Sequence, residues 1–345
     1  MEQIKYKKAV VRMGIDISKH VFQLHGVDNH EKVALRKKAN RKEFLLILAN
    51  TPPCLIGMEA CATSHYWARE LKKFGHEVKL IPAQHVKPYV QNNKNDARDA
   101  EAICEAVSRP RMRFVCIKST DQQDIQMLHR IRQGLIKTRT AQANQIRGLL
   151  AEYGIIINKG IEHICKAMPT ILEDGDNNLS GMARNLFNEL YETLCKLDNQ
   201  IEEINTEMER FCKSNESCKN LQTIIGVGPV VATGIYAAAG NASQFKTGRD
   251  MSAWLGLVPR QHSTGGKEVH LGISKKGDRY LRSMIVQGAW SVVQRSGKAK
   301  DETSKWIREM ISRSGKNKTV IAVANKLTRI MCAVLKSGEP YRVAA

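Results

Sequence analysis

The sequence predicts a mixed α/β domain at its amino end, followed by a larger and mainly helical remainder. Three observations carry this reading. Short β-branched blocks come first in hairpins and then alternate with helical patterns over roughly the first hundred residues. From Asp121 onward the apolar residues are spaced by threes and fours. At 345 residues the chain also exceeds one typical core, so two or three domains are expected.

Taken in order, residues 10–27 read as a hairpin: Val11 to Asp16, a polar turn at Ser18-Lys19-His20, then Val21 to Val27 in near alternation. A third strand follows around residues 32–37. Asn40 with Glu43 three residues on has the spacing of a capping box, so a helix starts there and Pro52-Pro53 stops it. Cys54 to Met58 reads as a buried strand leading to Glu59, and a helix near His65 to Phe74 is closed by Gly75. Another strand, residues 76–81, ends at Pro82, and the alanines of Asp96 to Val107 predict a further helix.

Residues 122–152 form a long helix with an apolar stripe at Ile125, Leu128, Ile131 and Leu135. Leu186, Leu190, Leu194, Leu197, Ile201, Ile204, Met208 and Phe211 make a heptad seam, which fits either a helical hairpin or a dimer contact. Residues 213–220 are polar and read as a boundary. After them, Leu221 to Ala232 reads as a helix, a Gly-x-Gly hairpin and another helix, a helix-hairpin-helix-like element with Gly226 and Gly228 in the hairpin. Two more helices, around Trp306 to Ile311 and Val320 to Leu335, end near Gly338. The expected division is therefore 1–120, 121–215 and 216–345.

The formal charge is +20 with a pI near 9.6, which points to a polyanionic partner without saying which one. Nine cysteines, none in a Cys-x-x-Cys pair, argue against a disulfide framework or a structural zinc site and fit a reducing cytoplasm. The absence of a signal-peptide core or a membrane-length apolar run leads to the expectation of a soluble, intracellular protein. No Walker loop is present, so ATP-driven chemistry has no support.

Four acidic residues stand out: Asp16 and Glu59 at the ends of buried strands, and Asp96 and Asp99 three apart on one helical face. Gathering four carboxylates costs strong Coulombic repulsion unless a divalent cation neutralises them. Each residue alone has a plainer explanation, Asp96 as a helix N-cap, Asp99 as a first-turn acid, and the others as solvated turn residues. The joint pattern favours a metal-holding site.

A second constellation runs from Gly256 to Lys267 and on to Arg282. Ser263 and Thr264 precede Gly265-Gly266, and Arg260 and Lys267 are close in sequence, so a flexible loop would hold a hydroxyl nucleophile beside cations. The alternative is a solvated loop whose basic residues, with Lys275, Lys276, Arg279 and Arg282, grip a nucleic-acid backbone. Gly226 and Gly228 would let the backbone approach a phosphate, or simply make a tight turn.

Five motifs, Gly14-Ile15-Asp16-Ile17-Ser18-Lys19, Met58-Glu59-Ala60, Lys94 to Ala100, Ile225 to Gly228, and Gly256 to Lys267, occur in an order that resembles the insertion-sequence transposases of the IS110 group, particularly its IS1111 branch. The resemblance implies a RuvC-like domain of ribonuclease H type whose Asp16, Glu59, Asp96 and Asp99 hold Mg²⁺ (or Mn²⁺). It further implies a coiled-coil middle and a C-terminal transposase domain whose serine becomes covalently joined to DNA. Aligned without a gap from Pro259, Thr264 takes the nucleophile's place, whereas a one-residue gap puts Ser263 there. Ser263 is chosen, because a primary hydroxyl is less hindered. Members act on donor and target DNA, are guided by a non-coding bridge RNA from the element, and assemble as dimers or tetramers. They are cytoplasmic, bacterial or archaeal, and nucleoid-associated. The rivals are a RuvC-like structure-selective endonuclease without a covalent intermediate and a binder without enzymatic activity.

Overall fold

The computed structural model describes residues 9–90, 95–264, 267–299 and 301–342, with the backbone alone at 262–264, 267, 268 and 270. The chain divides into two compact units, Met1–Ser119 and Thr120–Ala345.

The first unit is a five-stranded mixed sheet with helices on both faces. Its strands are β1 (Arg12–Ile17), β2 (Val21–Val27), β3 (Val33–Asn40), β4 (Leu55–Glu59) and β5 (Glu77–Ile81), arranged in the order β3-β2-β1-β4-β5. The first three strands form an antiparallel meander, β4 then pairs in parallel with β1, and β5 in parallel with β4. The helices are α1 (Arg41–Ala49), α2 (Ser64–Lys73), the single turn α3 (Ala83–Val86) and α4 (Asp96–Val107).

Alternation along the strands divides the sheet into two faces. Met13, Ile15, Ile56 and Met58 pack on one side with Phe44, Ile47, Leu48, Trp67 and Leu71 of α1 and α2. Phe22 stacks on Phe44 with ring centroids 4.2 Å apart, and Trp67 meets both rings edge-on at 5.1 Å. The other face is covered by α4 through Ala102, Ile103, Ala106 and Val107. The expected capping box closes α1: Asn40 accepts from the Lys42 and Glu43 amides, while the Glu43 carboxylate accepts from the Asn40 amide.

The second unit is mainly helical. It comprises α5 (Thr120–Ala151), α6 (Ile161–Glu173), α7 (Gly181–Ser214), α8 (Glu216–Gln222), α9 (Pro229–Ala239) and α10 (Gly248–Trp254). After these come the antiparallel pair β6 (Pro259–Thr264) and β7 (Lys267–Ile273), then α11 (Arg279–Arg295), α12 (Glu302–Ser314) and α13 (Lys316–Ser337). The heptad seam of α7 is used within the chain. Leu194, Leu197, Ile201 and Met208 are buried, and polar contacts bind α7 to α5, with Arg139 donating to Asp198 at 2.5 Å and Arg132 to Asn205 at 2.7 Å. Leu186 departs from the seam and is 54% exposed.

Within the polar stretch 213–220 the chain turns a corner. Asn215 ends α7 and, by accepting from the Cys218 amide, also caps α8, so the chain turns within one residue and buries Cys218 and Leu221.

One buried polar residue ties three helices together. His129 of α5 lies between the Tyr280 hydroxyl of α11, 2.9 Å away, and the Thr233 hydroxyl of α9, 3.0 Å away. Burial, then the nearby Arg132 charge, lowers its pKa to about 4, so it is neutral in the fold. The unfolded chain takes up the proton near the ordinary value of 6.5. The stability contributed by the neutral ring is therefore complete above that value and falls as pH drops toward about 4. Urea unfolding of the full chain at pH 7 and pH 5 is expected to show the helical unit weaker at the lower pH, by at most about 3 kcal/mol at full loss. His129→Gln should flatten that dependence.

Candidate active site

The site is built from the carboxyl ends of β1 and β4 and the first turn of α4. The two strands pair in parallel with Gly14 opposite Gly57 and Ile15 opposite Met58, so Asp16 and Glu59 follow side by side at the strand ends. Gly14 and Gly57 face α4. A Cβ on Gly14 would collide with the carbonyl oxygen of Ala100 and the amide of Cys104, and one on Gly57 would lie 2.8 Å from the Cβ of Val107. The backbone of α4 thus rests directly on the sheet.

Asn95 starts α4, its side chain accepting from the Ala97 amide. The N-cap is therefore Asn95 and not Asp96. Asp96 and Asp99 occupy the first turn and, one helical turn before Ala100 and Ile103, face the sheet.

Asp16, Asp96 and Asp99 each offer a carboxylate oxygen, and the three oxygens lie within 4.8 Å of one another. Glu59 is outside that trio but acts on it. Burial, and then repulsion from Asp99, Asp96 and Glu59, pushes the Asp16 carboxyl up to about 6. The Cys61 thiol is raised mainly by burial, with Glu59 and Asp16 adding to it, so the segment after β4 also lies in this negative field. An all-oxygen set of carboxylates that repel one another fits a hard divalent cation. Lys94, part of the motif, lies outside the described residues.

The second constellation is ordered differently from the loop expected. Residues 259–264 and 267–273 form a β-hairpin in which Ser263 pairs with Glu268 and Thr264 with Lys267, while Gly265 and Gly266 lie outside the described residues. A Gly-Gly pair followed by the alternating Val269, Leu271 and Ile273 is a hairpin signal, which the reading as a flexible loop passed over. The side chains of Ser263, Thr264 and Lys267 are likewise outside what is described.

The base of this hairpin is braced. Gly256 and Gly277 both have positive φ, and each sits where a Cβ would strike the opposite backbone segment, Lys276 and Trp254 respectively. Arg282 donates to the carbonyls of Leu255 at 3.1 Å and Lys276 at 3.2 Å, so its guanidinium holds this base together. Arg260, Lys275, Lys276 and Arg279 are exposed.

At the Gly-x-Gly turn the two glycines differ. Gly226, at φ +89°, is pressed against α11, where a Cβ would meet the Gly288 carbonyl oxygen at 2.9 Å. Gly228 caps α9 and has open space at the Cβ position. Of the pair, Gly228 is the one that leaves room for a ligand at a helix N-terminus.

Residues 13–155 match a family of transposases with an Asp-Glu-Asp-Asp set, and residues 218–304 match the transposase IS116/IS110/IS902 family. The chain is 43% identical over 332 residues to a probable family 20 transposase of Pseudomonas aeruginosa, covering 96% of this chain and 98% of that one. It is 41% identical over 338 residues to the transposase for insertion sequence element IS1111A of Coxiella burnetii, covering 98% and 93%. A third relative, the transposase for element IS1328 of Yersinia enterocolitica, is 39% identical over 96% of this chain and 98% of its own length. The chain belongs to the IS110 family of transposases.

It is thus an enzyme that cuts and rejoins DNA in transposition. The Asp-Glu-Asp-Asp transposase domain carries divalent metal use with it, in agreement with the acidic trio. None of the described helices of the transposase is long and apolar enough to cross a membrane.

The site's least obvious parts are its glycines. Gly14-x-Asp16 and Gly57-x-Glu59 repeat one pattern, a glycine two residues before the acid, and that repeat was readable as a signal for a helix lying close to both strands. Gly14→Val should shift α4, destabilise the first unit by about 3 kcal/mol or more and abolish Mn²⁺ binding measured by calorimetry. Asp16→Asn should raise the melting temperature in chelator, because it removes a repelling charge, yet show none of the rise on adding a divalent cation that is expected of the parent chain.

Proposed function

We propose that the transposase works through two catalytic groups: a RuvC-like site of ribonuclease H type holding Mg²⁺ or Mn²⁺, and a serine nucleophile in the C-terminal region. The observation that carries the first is the trio of carboxylate oxygens within 4.8 Å, on a β1 end and an α4 first turn, in a member of this family. The sheet order β3-β2-β1-β4-β5, three antiparallel strands followed by two parallel ones, supports the ribonuclease H-like assignment. Asp16, Asp96 and Asp99 would hold the cation, with Glu59 beside Asp16. When bound, a divalent ion there supplies polarisation of a phosphate and stabilises charge on its oxygens.

The chain's own residues then divide the work. The Ser263 hydroxyl attacks the scissile phosphorus in line, the Oγ–P bond forms as the bond to the leaving strand breaks, and the hydroxyl proton is balanced by protonation of the departing oxygen. Thr264 positions the loop. The phosphodiester energy is kept in the phosphoserine, so attack by a new strand end rejoins DNA without a nucleotide cofactor. Arg260, Lys267, Lys275, Lys276 and Arg279 neutralise the DNA backbone around this step, and Gly228 leaves the N-terminus of α9 open to a phosphate. Arg282 supports the same surface indirectly, through the hairpin base.

The functional division follows: a catalytic domain at 1–120, a helical, coiled-coil region at 121–215 and a C-terminal transposase domain at 216–345. Guidance comes from an element-encoded bridge RNA, and the active form is a dimer or tetramer acting on donor and target DNA in a bacterial or archaeal cytoplasm, at the nucleoid.

The test is a trapping experiment. Purified transposase, the RNA that co-purifies with it and a duplex spanning the element's end are resolved on a denaturing gel in Mg²⁺. A protein–DNA adduct present in the parent and Thr264→Ala chains but lost in Ser263→Ala and Asp16→Ala is the expected result. Hydrolysed DNA with no adduct would instead make the protein a structure-selective endonuclease, and co-purifying RNA of random sequence would remove the guide.

A further inference from the structure

The strand register carries the acidic site sideways. Asp16 of β1 pairs with Gln23 of β2, and Gln23 pairs with Lys38 of β3. Directly opposed residues share a face of a sheet, so Asp16, Gln23 and Lys38 form one lateral row, with Glu59 following Asp16 on the other side. The face is that of α4. Gly14, two residues before Asp16, lies under Ala100, and Arg36, two before Lys38, is paired with Glu101 of α4 at 3.3 Å.

The row lies at the end of the sheet where α4 begins, beside the first turn that carries Asp96 and Asp99. Gln23 is half-buried and Lys38 exposed. Two strand spacings of about 4.8 Å put the Lys38 backbone roughly 10 Å from that of Asp16. That leaves a long, flexible cation able to reach a phosphate near one held at the carboxylates. The same end of the sheet carries exposed Lys19 and His20 in the β1–β2 turn and exposed Arg41 and Lys42 after β3. The nearby acid, Glu43, has its carboxylate turned to the Asn40 amide.

We propose that Gln23 and Lys38 are positioning residues for the DNA strand being cut. The strand crosses β2 and β3 on its way to the carboxylates, Lys38 neutralises a phosphate neighbouring the scissile one, and Gln23 donates to the backbone between them. A plainer role for Lys38 is to blunt an edge strand against self-association. Lys37, also exposed and pointing to the opposite face, can meet that need, whereas it has no access to the row. The proposal rests on reading the carboxylates as the cutting site.

The experiment uses the full-length transposase with a DNA duplex carrying the element's end, and an RNA duplex of the same sequence as comparison. Binding is followed by anisotropy over about 50 to 200 mM salt, where each lost phosphate contact on B-DNA lowers the slope of log affinity against log salt by about 0.9. Lys38→Ala is expected to lose that amount on DNA, and Lys38→Arg to restore it. Gln23→Ala is expected to slow single-turnover cutting roughly tenfold through misplacement of the strand, with DNA affinity unchanged. Both variants should melt like the parent, since neither position is in the core.

An unchanged slope and cutting rate in Lys38→Ala overturns the proposal, as does self-association of that variant with parental DNA binding. A slope change confined to RNA also overturns it. Asp16→Ala separates the two levels of the argument: if that variant still cuts, the reading of the carboxylates has failed. If it is inactive while Lys38→Ala and Gln23→Ala behave as the parent, only the positioning row has failed.

Discussion

A helix can share a cation with two strands only if its backbone comes close enough for its first turn to reach the strand ends. Ordinary side chains keep a helix away from a sheet, so the paired Gly14 and Gly57 are the constraint on which this site depends. They remove the side chains that would otherwise separate α4 from β1 and β4. Ala100, Ile103, Cys104 and Val107 then settle over the gap, and the same helical face carries Asp96 and Asp99 to Asp16. Packing deep under the helix thereby sets the spacing of charges at its exposed end.

That spacing is electrostatically expensive. Three carboxylates within 4.8 Å hold the Asp16 proton up to about 6, after burial has made its largest contribution. The fold tolerates the repulsion because strong hydrophobic contacts lie on both faces of the sheet, with the Phe22, Phe44 and Trp67 cluster on the side away from the charges. A net charge of +20 draws DNA toward the chain as a whole, while the acid cluster by itself repels a phosphate. A divalent cation held by Asp16, Asp96 and Asp99 would offset that repulsion, in accord with the metal use of this transposase family.

Much of this was readable from sequence because local signals and tertiary demands coincide. Asn40 and Glu43 announce α1, Gly75 at φ +86° stops α2, and the alanine-rich run from Asp96 is the helix expected, with the same limits. Convergence of the acids was also legible, since carboxylates after buried parallel strands point to the same sheet end. Other features depend on partners far away in the chain. Nothing near Gly226 reveals that it touches Gly288, and Arg282 reads as one more basic residue until Leu255 and Lys276 are seen to receive it. The row from Asp16 through Gln23 to Lys38 is equally invisible without register, because the three residues lie on separate strands.

The same device recurs at two further places in the chain. Gly14 with Gly57 lets helix meet sheet, Gly226 with Gly288 lets a turn meet a helix, and Gly256 with Gly277 lets the two ends of the hairpin base meet. In each case backbone touches backbone, and the groups beyond the contact are held by main-chain geometry instead of by side-chain packing. Main-chain contact leaves little room for adjustment, because a single added methyl group has nowhere to go. A transposase must bind a flexible polyanion without letting it distort the catalytic geometry. Short glycine contacts behind the carboxylates and at the foot of the β6–β7 hairpin fix the main chain at both places, which leaves compliance to exposed side chains such as Arg260, Lys275, Lys276 and Arg279.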